Sequence, residues 1–326
     1  MGYSPRAGRK LAARLAFAAG AALLAAGFIA SGQLCFTLCV SRAEGSPGPV
    51  PGGEPQFSSE RVAWRERYYA GERALVTRDG VTLTADYYVP ESETNRWVLA
   101  LNCYQNRVMY LEDFCKLMQE RGFHVLAADM RARGRSGGEY MGMAVTDKRD
   151  ILDWLRYIEK ADPQAQVLLY GFSGGGTAAL ATAPDLPACV RGIVTDSAFA
   201  RSKDEVRRIL KNAGLPAFPF VLAGELTAYA KAGFWLSAGN AASGAGGSKL
   251  PLLLIHGAED TYADPAALDT LYNASASSAK TKLLIPGAGH CLAMSENPES
   301  YWQAADAFIN YWLPPPPSAP GESDEG

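Results

Sequence analysis

The stretch "QVLLYGFSGGGTAALATA", residues 166–183, decides the fold class that we predict for this chain. An apolar run over 166–170 ends at Gly171, a single serine follows at position 173, and three glycines lead into an alanine-rich segment. Such a run predicts a buried strand, and the alanine-rich segment predicts a helix. Ser173 then either has no specific role in a flexible turn or is a nucleophile held on a sharp strand–turn–helix. Short motifs also occur by chance, so the surrounding sequence has to decide.

Outward from this stretch, short apolar runs alternate with helical patterns. The further runs cover 97–101, 124–129, 190–196, 251–256 and 281–286. Continuous apolar strands separated by helices are typical of a parallel sheet buried on both faces. Upstream, two alternating runs flank Asp79-Gly80, which predicts a hairpin. The sequence therefore predicts an α/β fold with a mostly parallel central sheet flanked by helices.

The alternation breaks at about 199–249, where the pattern predicts a helical lid inserted over the strand ends. The aromatic residues of this segment either line a substrate pocket or pack within the lid; they are Phe218, Phe220, Tyr229, Phe234 and Trp235. Residues 43–57 are too rich in Pro and Gly to fold alone, and residues 314–326 have the composition of a disordered tail. The folded unit is thus predicted to cover about 58–313.

The N-terminal segment, residues 1–42, has the pattern of a membrane anchor. Four basic residues, the last of them Arg14, precede an uncharged stretch from Leu15 to Ser41 that is long enough to span a bilayer. The basic flank favours the cytoplasmic side, which places the rest of the chain outside the cell membrane after a single pass. A cleaved signal peptide, giving a secreted protein, is the alternative, because small residues around Ala30 and Gly32 suit a cleavage site.

Composition narrows the range of partners. The chain has 326 residues, is 48% hydrophobic and carries a formal net charge of -3. This balance provides no polycationic face, so nucleic acid is not an expected partner. The six cysteines include no second Cys or His pair at the ligand spacing of a zinc site, so no metal is expected. Buried free thiols are favoured over disulfides.

If Ser173 is a nucleophile it needs a base, and the chain has three histidines. His124 begins a predicted strand and should lie at the opposite end of the sheet. His256 ends another strand, where the following residues give it a supporting role in a turn. His290 follows the last predicted strand in "IPGAGH", and these glycines allow the loop to reach Ser173. His290 is therefore the candidate base.

A catalytic histidine also needs a carboxylate that orients the ring and stabilises its charged form. Asp260 follows the strand 251–256 and is the first candidate. Asp264 is the reserve candidate, and Asp196, at the end of "GIVTD", is a weaker one. The resulting chain order, serine then aspartate then histidine, is typical of sheets whose nucleophile sits on a strand–turn–helix.

The region from about 75 to 312 resembles the α/β-hydrolases of the serine-hydrolase type. The resemblance is carried by "DMRARGRSGGEYMGM" (129–143), "LLLIHGAEDTYAD" (252–264), "LLIPGAGHCLAMSENPESYW" (283–302) and the stretch around Ser173. More narrowly, the chain is similar to membrane-anchored α/β-hydrolases of Gram-positive bacteria. The resemblance implies hydrolysis of a small-molecule ester or related acyl compound without a cofactor. We expect a monomer.

The resemblance also implies an oxyanion hole, a pair of backbone N–H groups that stabilise the charged intermediate. Gly174 and Tyr104 match the positions of the two donors. Members of the family typically carry His-Gly before the second donor, whereas this chain has Asn102-Cys103. A cysteine restricts the backbone more than glycine does. A serine peptidase on the same fold and a catalytically impaired binding module remain the alternative functions.

Overall fold

The computed structural model describes residues 5–42, 58–102 and 111–315. Its centre is a single eight-stranded sheet in the order β1-β2-β4-β3-β5-β6-β7-β8. The strands are β1 Tyr69–Val76, β2 Thr82–Tyr88, β3 Arg96–Leu101, β4 His124–Ala128, β5 Gln166–Phe172, β6 Val190–Asp196, β7 Leu252–Gly257 and β8 Lys280–Ile285. Strands β3 to β8 run parallel, and only β1 and β2 are antiparallel to their neighbours. The six apolar runs of the sequence therefore coincide with the six parallel strands, and the Asp79-Gly80 hairpin is the turn between β1 and β2.

Helices cover both faces of the sheet. They are α1 Pro5–Cys39, α2 Ser59–Tyr68, α3 Glu112–Glu120, α4 Asp147–Ala161, α5 Gly174–Thr182, α6 Ser202–Asn212, α7 Ala217–Ala232, α8 Ala241–Gly246, α9 Ala266–Ala274, α10 Ala293–Glu296 and α11 Pro298–Trp312. Strand β5 shows why both faces are apolar. Val167 and Leu169 belong to one buried core, while Leu168 and Tyr170 belong to the other. The predicted fold class, a mostly parallel sheet flanked by helices, is confirmed.

The segment between β6 and β7 differs in one respect from the predicted lid. Its first helices, α6 and α7, pack mainly on each other and on α1. Helix α8 instead lies against α5, where a Cβ at Gly244 would come within 2.7 Å of the Ala181 Cα atom. The last part of the segment predicted as lid therefore belongs to the helical layer beside the sheet. This close contact needs a glycine at position 244.

The lid aromatics divide into a buried group and an exposed group. Phe234 is buried in the core and Phe220 packs partly against it. Phe218, Tyr229 and Trp235, by contrast, are exposed large side chains on the outer surface of the segment. These three therefore do not fill the interior of the lid.

Helix α1 is attached to the folded unit by its C-terminal part. Phe36 and Cys39 are buried, and the Phe36 ring meets the Tyr140 ring edge-on with centroids 5.1 Å apart. Beyond the helix, the Arg42 guanidinium donates to the carbonyl oxygens of Ser136 at 2.7 Å and Gly134 at 3.2 Å. The end of α1 is thus an integral part of the domain surface rather than a free tether.

Two regions of the sequence analysis lie outside the described residues: the predicted linker, 43–57, and all but the first two residues of the predicted tail. The loop that contains Cys103 and Tyr104 is outside them as well. The described cysteines form no disulfide with one another; they are Cys35, Cys39, Cys115, Cys189 and Cys291.

Candidate active site

Ser173 lies on a sharp turn between β5 and α5. Its backbone has φ 51° and ψ -119°, a conformation that side chains other than glycine adopt only under strain. Gly175 permits this turn, because a Cβ there would lie 2.5 Å from the carbonyl oxygen of Leu101. The turn is fixed by hydrogen bonds from Ser173 N–H to the Asp196 carbonyl, 2.8 Å, and from Thr177 N–H to the Ser173 carbonyl, 3.0 Å. The Ser173 hydroxyl is thereby held at the carboxyl end of the central strand.

The structure brings Ser173, His290 and Asp260 together in a continuous hydrogen-bonded row. His290 Nε2 is 2.8 Å from Ser173 Oγ, and His290 Nδ1 is 2.7 Å from Asp260 Oδ2. With Nδ1 protonated and donating to the carboxylate, Nε2 is left as the acceptor for the serine proton. The His290 ring can therefore take the hydroxyl proton of Ser173 and hold it beside the Asp260 carboxylate.

The Asp260 carboxylate is fixed on all sides. Its Oδ1 accepts from the backbone N–H groups of Tyr262 and Ala263, both at 2.8 Å. Its Oδ2 faces His290 and also lies 3.2 Å from His256 Nε2. Burial opposes ionisation, but hydrogen bonds from His256, His290 and the Ala263 N–H outweigh it and hold the pKa of Asp260 well below its ordinary value. The carboxyl group is consequently a fixed anion beside the imidazole.

The other candidate acids occupy different surroundings. Asp264 is exposed and caps the start of α9, with its Oδ1 accepting from Ala266 N–H at 3.0 Å. Asp196 is buried, and its Oδ1 accepts from the Ser197 hydroxyl at 2.9 Å. Burial raises the pKa of Asp196 to about 6. Neither carboxyl has a hydrogen bond to His290, so the geometry favours Asp260 among the three.

The remaining histidines lie where the sequence suggested. His124 begins β4 at the opposite end of the sheet, with Nδ1 2.8 Å from the Tyr87 hydroxyl. His256 supports the turn after β7 and, in addition, contacts the Asp260 carboxylate. The second contact could not be read from the sequence, which shows only that the two residues are four positions apart.

Ser197 was missed entirely by the sequence analysis. Its hydroxyl donates to Asp196 and accepts from the Cys291 N–H at 3.0 Å, which ties the loop of His290 to the end of β6. Ser197 and Cys291 have φ angles of 58° and 55°, so both ends of this tie carry the same kind of backbone strain as Ser173. No motif marks Ser197, and the only available signal was its position after a strand.

One of the two predicted oxyanion donors lies in the described part of the chain. Gly174 opens α5, and the first N–H groups of a helix have no acceptor within the helix and carry partial positive charge. Such a group is suited to stabilise an anion beside Ser173. Tyr104 lies outside the described residues, so the second donor stays a prediction.

A cleft of about 330 Å³ opens between α6 and α9. Phe199 is one of its lining residues, and the Phe199 ring centroid is 6.3 Å from that of His290. Arg207 and Asp264 lie on its polar walls. Within the described ranges, no group of three or more His, Cys, Asp or Glu side chains is arranged to hold a metal ion.

Comparison with known proteins supports a hydrolase. A family model described as serine aminopeptidase, S33, matches residues 92–218, which is less than half of the chain. Monoglyceride lipases of Rattus norvegicus and Mus musculus are 25% and 26% identical over 172 residues. The match covers 52% of this chain and 56% of each lipase, so the chain spans about half the length of these curated relatives.

Solved structures show the fold more completely. An esterase from Pyrococcus furiosus superposes with a TM-score of 0.64 at 21% identity, covering 82% of this chain and 98% of the esterase. An α/β hydrolase from Penicillium superposes with a TM-score of 0.59 at 17% identity, and the match covers 74% of this chain and 98% of the Penicillium chain. The protein therefore has the α/β-hydrolase fold. These matches do not bear on the predicted likeness to Gram-positive members, which stays a prediction.

Proposed function

We propose that the protein is a serine hydrolase that cleaves carboxylic esters through an acyl-enzyme, with Ser173, His290 and Asp260 as its catalytic residues. The observation that carries the proposal is the row of two hydrogen bonds, 2.8 and 2.7 Å long, that begins at a serine on a strained turn. A catalytically impaired binding module would have no need to preserve this alignment across three separate loops.

In the proposed reaction Ser173 Oγ attacks the ester carbonyl while His290 Nε2 takes the hydroxyl proton. The Asp260 carboxylate stabilises the resulting imidazolium, and the Gly174 N–H stabilises the oxyanion together with a second donor expected from Tyr104. His290 then gives the proton to the departing alcohol. Water, deprotonated by the same ring, attacks the acyl-enzyme and releases the acid. The cycle uses no cofactor.

The matches to monoglyceride lipases and an esterase favour an acyl ester as substrate. The family description of a serine aminopeptidase makes peptide hydrolysis the second candidate. Both reactions use the same nucleophile and base, so the choice depends on the leaving group that the site accepts.

We further propose that residues 1–42 anchor the protein in the cell membrane with the domain outside. Helix α1 contains one stretch, Ala13–Cys39, that is long and apolar enough to cross a bilayer. A signal sequence passes the same test. The apolar run continues past the candidate cleavage site around Ala30 and Gly32 as far as Ser41, which favours an uncleaved anchor.

The nucleophile is tested with a fluorophosphonate probe and a panel of substrates. We expect the full chain to be labelled and to hydrolyse p-nitrophenyl esters, with both activities abolished by Ser173→Ala and retained by Ser295→Ala, an exposed serine near His290. Aminoacyl p-nitroanilides test the peptidase candidate. Labelling and turnover that survive Ser173→Ala would overturn the mechanism.

A further inference from the structure

The end of β6 forms hydrogen bonds to each of the three segments that carry the candidate catalytic residues. The Asp196 carbonyl accepts from the N–H of Ser173, the candidate nucleophile, at 2.8 Å. The Ser197 N–H donates to the Ile255 carbonyl at 2.9 Å, in the strand β7 that leads to the candidate acid. The Ser197 hydroxyl accepts from the Cys291 N–H at 3.0 Å, in the loop after β8 that carries the candidate base. Two adjacent residues thus connect all three segments.

The hydrogen bond to Ser197 fixes the backbone beside His290. The Cys291 N–H belongs to the same peptide group as the His290 carbonyl. Because a peptide group is planar, holding this N–H also limits rotation about the Cα–C bond of His290. On the other side of His290, the Ala288 carbonyl accepts from the Glu259 N–H at 2.9 Å. The His290 backbone is therefore held by a backbone hydrogen bond on one side and by the Ser197 side chain on the other.

These two hydrogen bonds hold the His290 loop against different partners. Glu259 directly precedes Asp260, so its bond places the His290 loop relative to the candidate acid. The bond to Ser197 places the same loop relative to Ser173, because the neighbouring Asp196 carbonyl holds the Ser173 N–H. The Ser197 hydroxyl should consequently determine the 2.8 Å separation of His290 Nε2 from Ser173 Oγ more than the contact of His290 with Asp260.

The Asp196 carboxyl group orients the Ser197 hydroxyl. A serine hydroxyl donates one proton and can also accept. Ser197 donates its proton to Asp196 Oδ1 at 2.9 Å, so the lone pairs of its oxygen are left for the Cys291 N–H. Both Ser197 and Asp196 are fully buried, and hydrogen bonds inside a protein are electrostatically stronger than in water. The hydroxyl is therefore an acceptor with a fixed direction.

The backbone of Ser197 indicates that its side chain is needed at this position. Its φ of 58° lies in the left-handed region, which glycine adopts without a steric penalty and serine adopts only under strain. A glycine would relieve this strain but would provide no acceptor for the Cys291 N–H.

We propose that Ser197 is a positioning residue, whose hydroxyl holds the His290 loop at the separation from Ser173 that proton transfer requires. The inference rests on the proposed function, because it assumes that Ser173 and His290 react together. Ser197 acts through the peptide group that follows His290 rather than through contact with the substrate.

The first measurement compares the turnover of the full chain with that of Ser197→Ala and of the control Ser136→Ala. Ser136 is also fully buried, and its hydroxyl likewise accepts from a backbone N–H, that of Thr84 at 2.9 Å, and donates to the Asp129 carbonyl at 2.7 Å. With p-nitrophenyl acetate we expect Ser197→Ala to lower kcat by about 10- to 100-fold without changing KM, because a displacement of about 1 Å can cost a hundredfold in rate. Ser136→Ala should leave kcat unchanged.

A second measurement distinguishes positioning from a general loss of structure. Hydrogen bonds to an ionised carboxylate are short and strong, and a proton in such a bond gives a far-downfield NMR resonance. In Ser197→Ala we expect the resonance of the His290 Nδ1 proton to persist, because Glu259 still holds the loop beside Asp260. Labelling by a fluorophosphonate, which requires attack by Ser173, should slow by the same factor as ester turnover.

A kcat for Ser197→Ala equal to that of the parent would overturn the inference. Equal losses in the two variants, or loss of the downfield resonance in Ser197→Ala, would also overturn it, because a general loosening of the site would then explain the rates. If Ser197→Ala does not fold, Ser197→Gly, which suits the backbone angle, is measured with the same expectations. A parent protein that neither reacts with the fluorophosphonate nor hydrolyses the ester would overturn the proposed function as well, whereas an active parent with an equally active variant overturns the inference alone.

Discussion

Glu205 should make the stability of this protein depend on pH. The side chain is buried in α6, and its Oε2 has no hydrogen-bond partner among the described residues. Burial, and then the nearby Asp147 carboxylate, raises the pKa of Glu205 to about 8, although Arg133 opposes the shift. At pH 7 the carboxyl group is consequently mostly protonated in the folded protein and ionised in the unfolded chain.

The sign of the effect follows from this difference. Between an unfolded pKa of 4.5 and the folded value of about 8, the folded state binds one more proton than the unfolded state. The stability associated with Glu205 is therefore fully present below the first value and is lost as the pH rises through the second. At about 1.4 kcal/mol for each pKa unit, the loss is about 3 kcal/mol at pH 7 and about 5 kcal/mol above pH 8.

The substitution Glu205→Gln removes the titrating group and keeps its shape. For a folded unit of this size each kcal/mol moves the Tm by about 2–4 °C. We expect the difference in Tm between variant and parent to be about 5–10 °C more favourable to the variant at pH 7 than at pH 5. The measurement is thermal unfolding of the full chain, followed by circular dichroism in detergent at both pH values.

Glu225 provides a matched control on the neighbouring helix. Burial disfavours its charge, but hydrogen bonds from Lys203 and the Ser237 N–H hold the pKa of Glu225 below its ordinary value. Its contribution to stability is present above the unfolded pKa, so Glu225→Gln should lower the Tm at pH 7. A Tm difference for Glu205→Gln that is the same at pH 5 and pH 7 would refute the reasoning.

Two further predictions concern the candidate acids. Asp260→Asn should lower ester turnover by about ten-thousandfold, because the amide no longer stabilises the charged His290 ring. Asp264→Asn, at the exposed start of α9, should change ester turnover little. Steady-state kinetics of both variants measure the two effects, and the reverse order would show that the wrong carboxylate was chosen. Asp196→Asn should stabilise the fold relative to the parent at pH 7 but not at pH 4, because burial raises the folded pKa of Asp196 to about 6 and the parent loses stability as the pH rises through that value. Chemical denaturation at the two pH values measures the second effect, and an equal shift at both would contradict it.

The parallel sheet and the candidate catalytic residues could be predicted from the sequence because each corresponds to a repeated or local sequence pattern. Buried parallel strands are apolar along their whole length, and the turn at Ser173 requires glycines on both sides. His290 was found by elimination among three histidines. The choice between Asp260 and Asp264 was only a preference, since both follow the same strand and the direction of the turn depends on backbone hydrogen bonds to Asp260.

Contacts between distant segments left no such signal. Gly32 and Cys35 fit an apolar membrane span as well as they fit a helix interface, and only their position against α7 distinguishes the two. Ser197 and the contact of His256 with Asp260 depend on single side chains that meet through the fold. The packing of the short helix α8 on α5 has no sequence feature that marks it, so the predicted lid of about 199–249 includes α8.

The docking of the α1 end has a consequence for how the domain could be shed. A protease that cuts within 43–57 breaks the chain but leaves Phe36 in its buried site and Arg42 bonded to the carbonyls of Ser136 and Gly134. With α1 as the proposed membrane anchor, such a clipped protein would stay on the membrane as a non-covalent complex of two fragments. Release requires a cut on the N-terminal side of Phe28, which carries the last turns of the helix away with the domain.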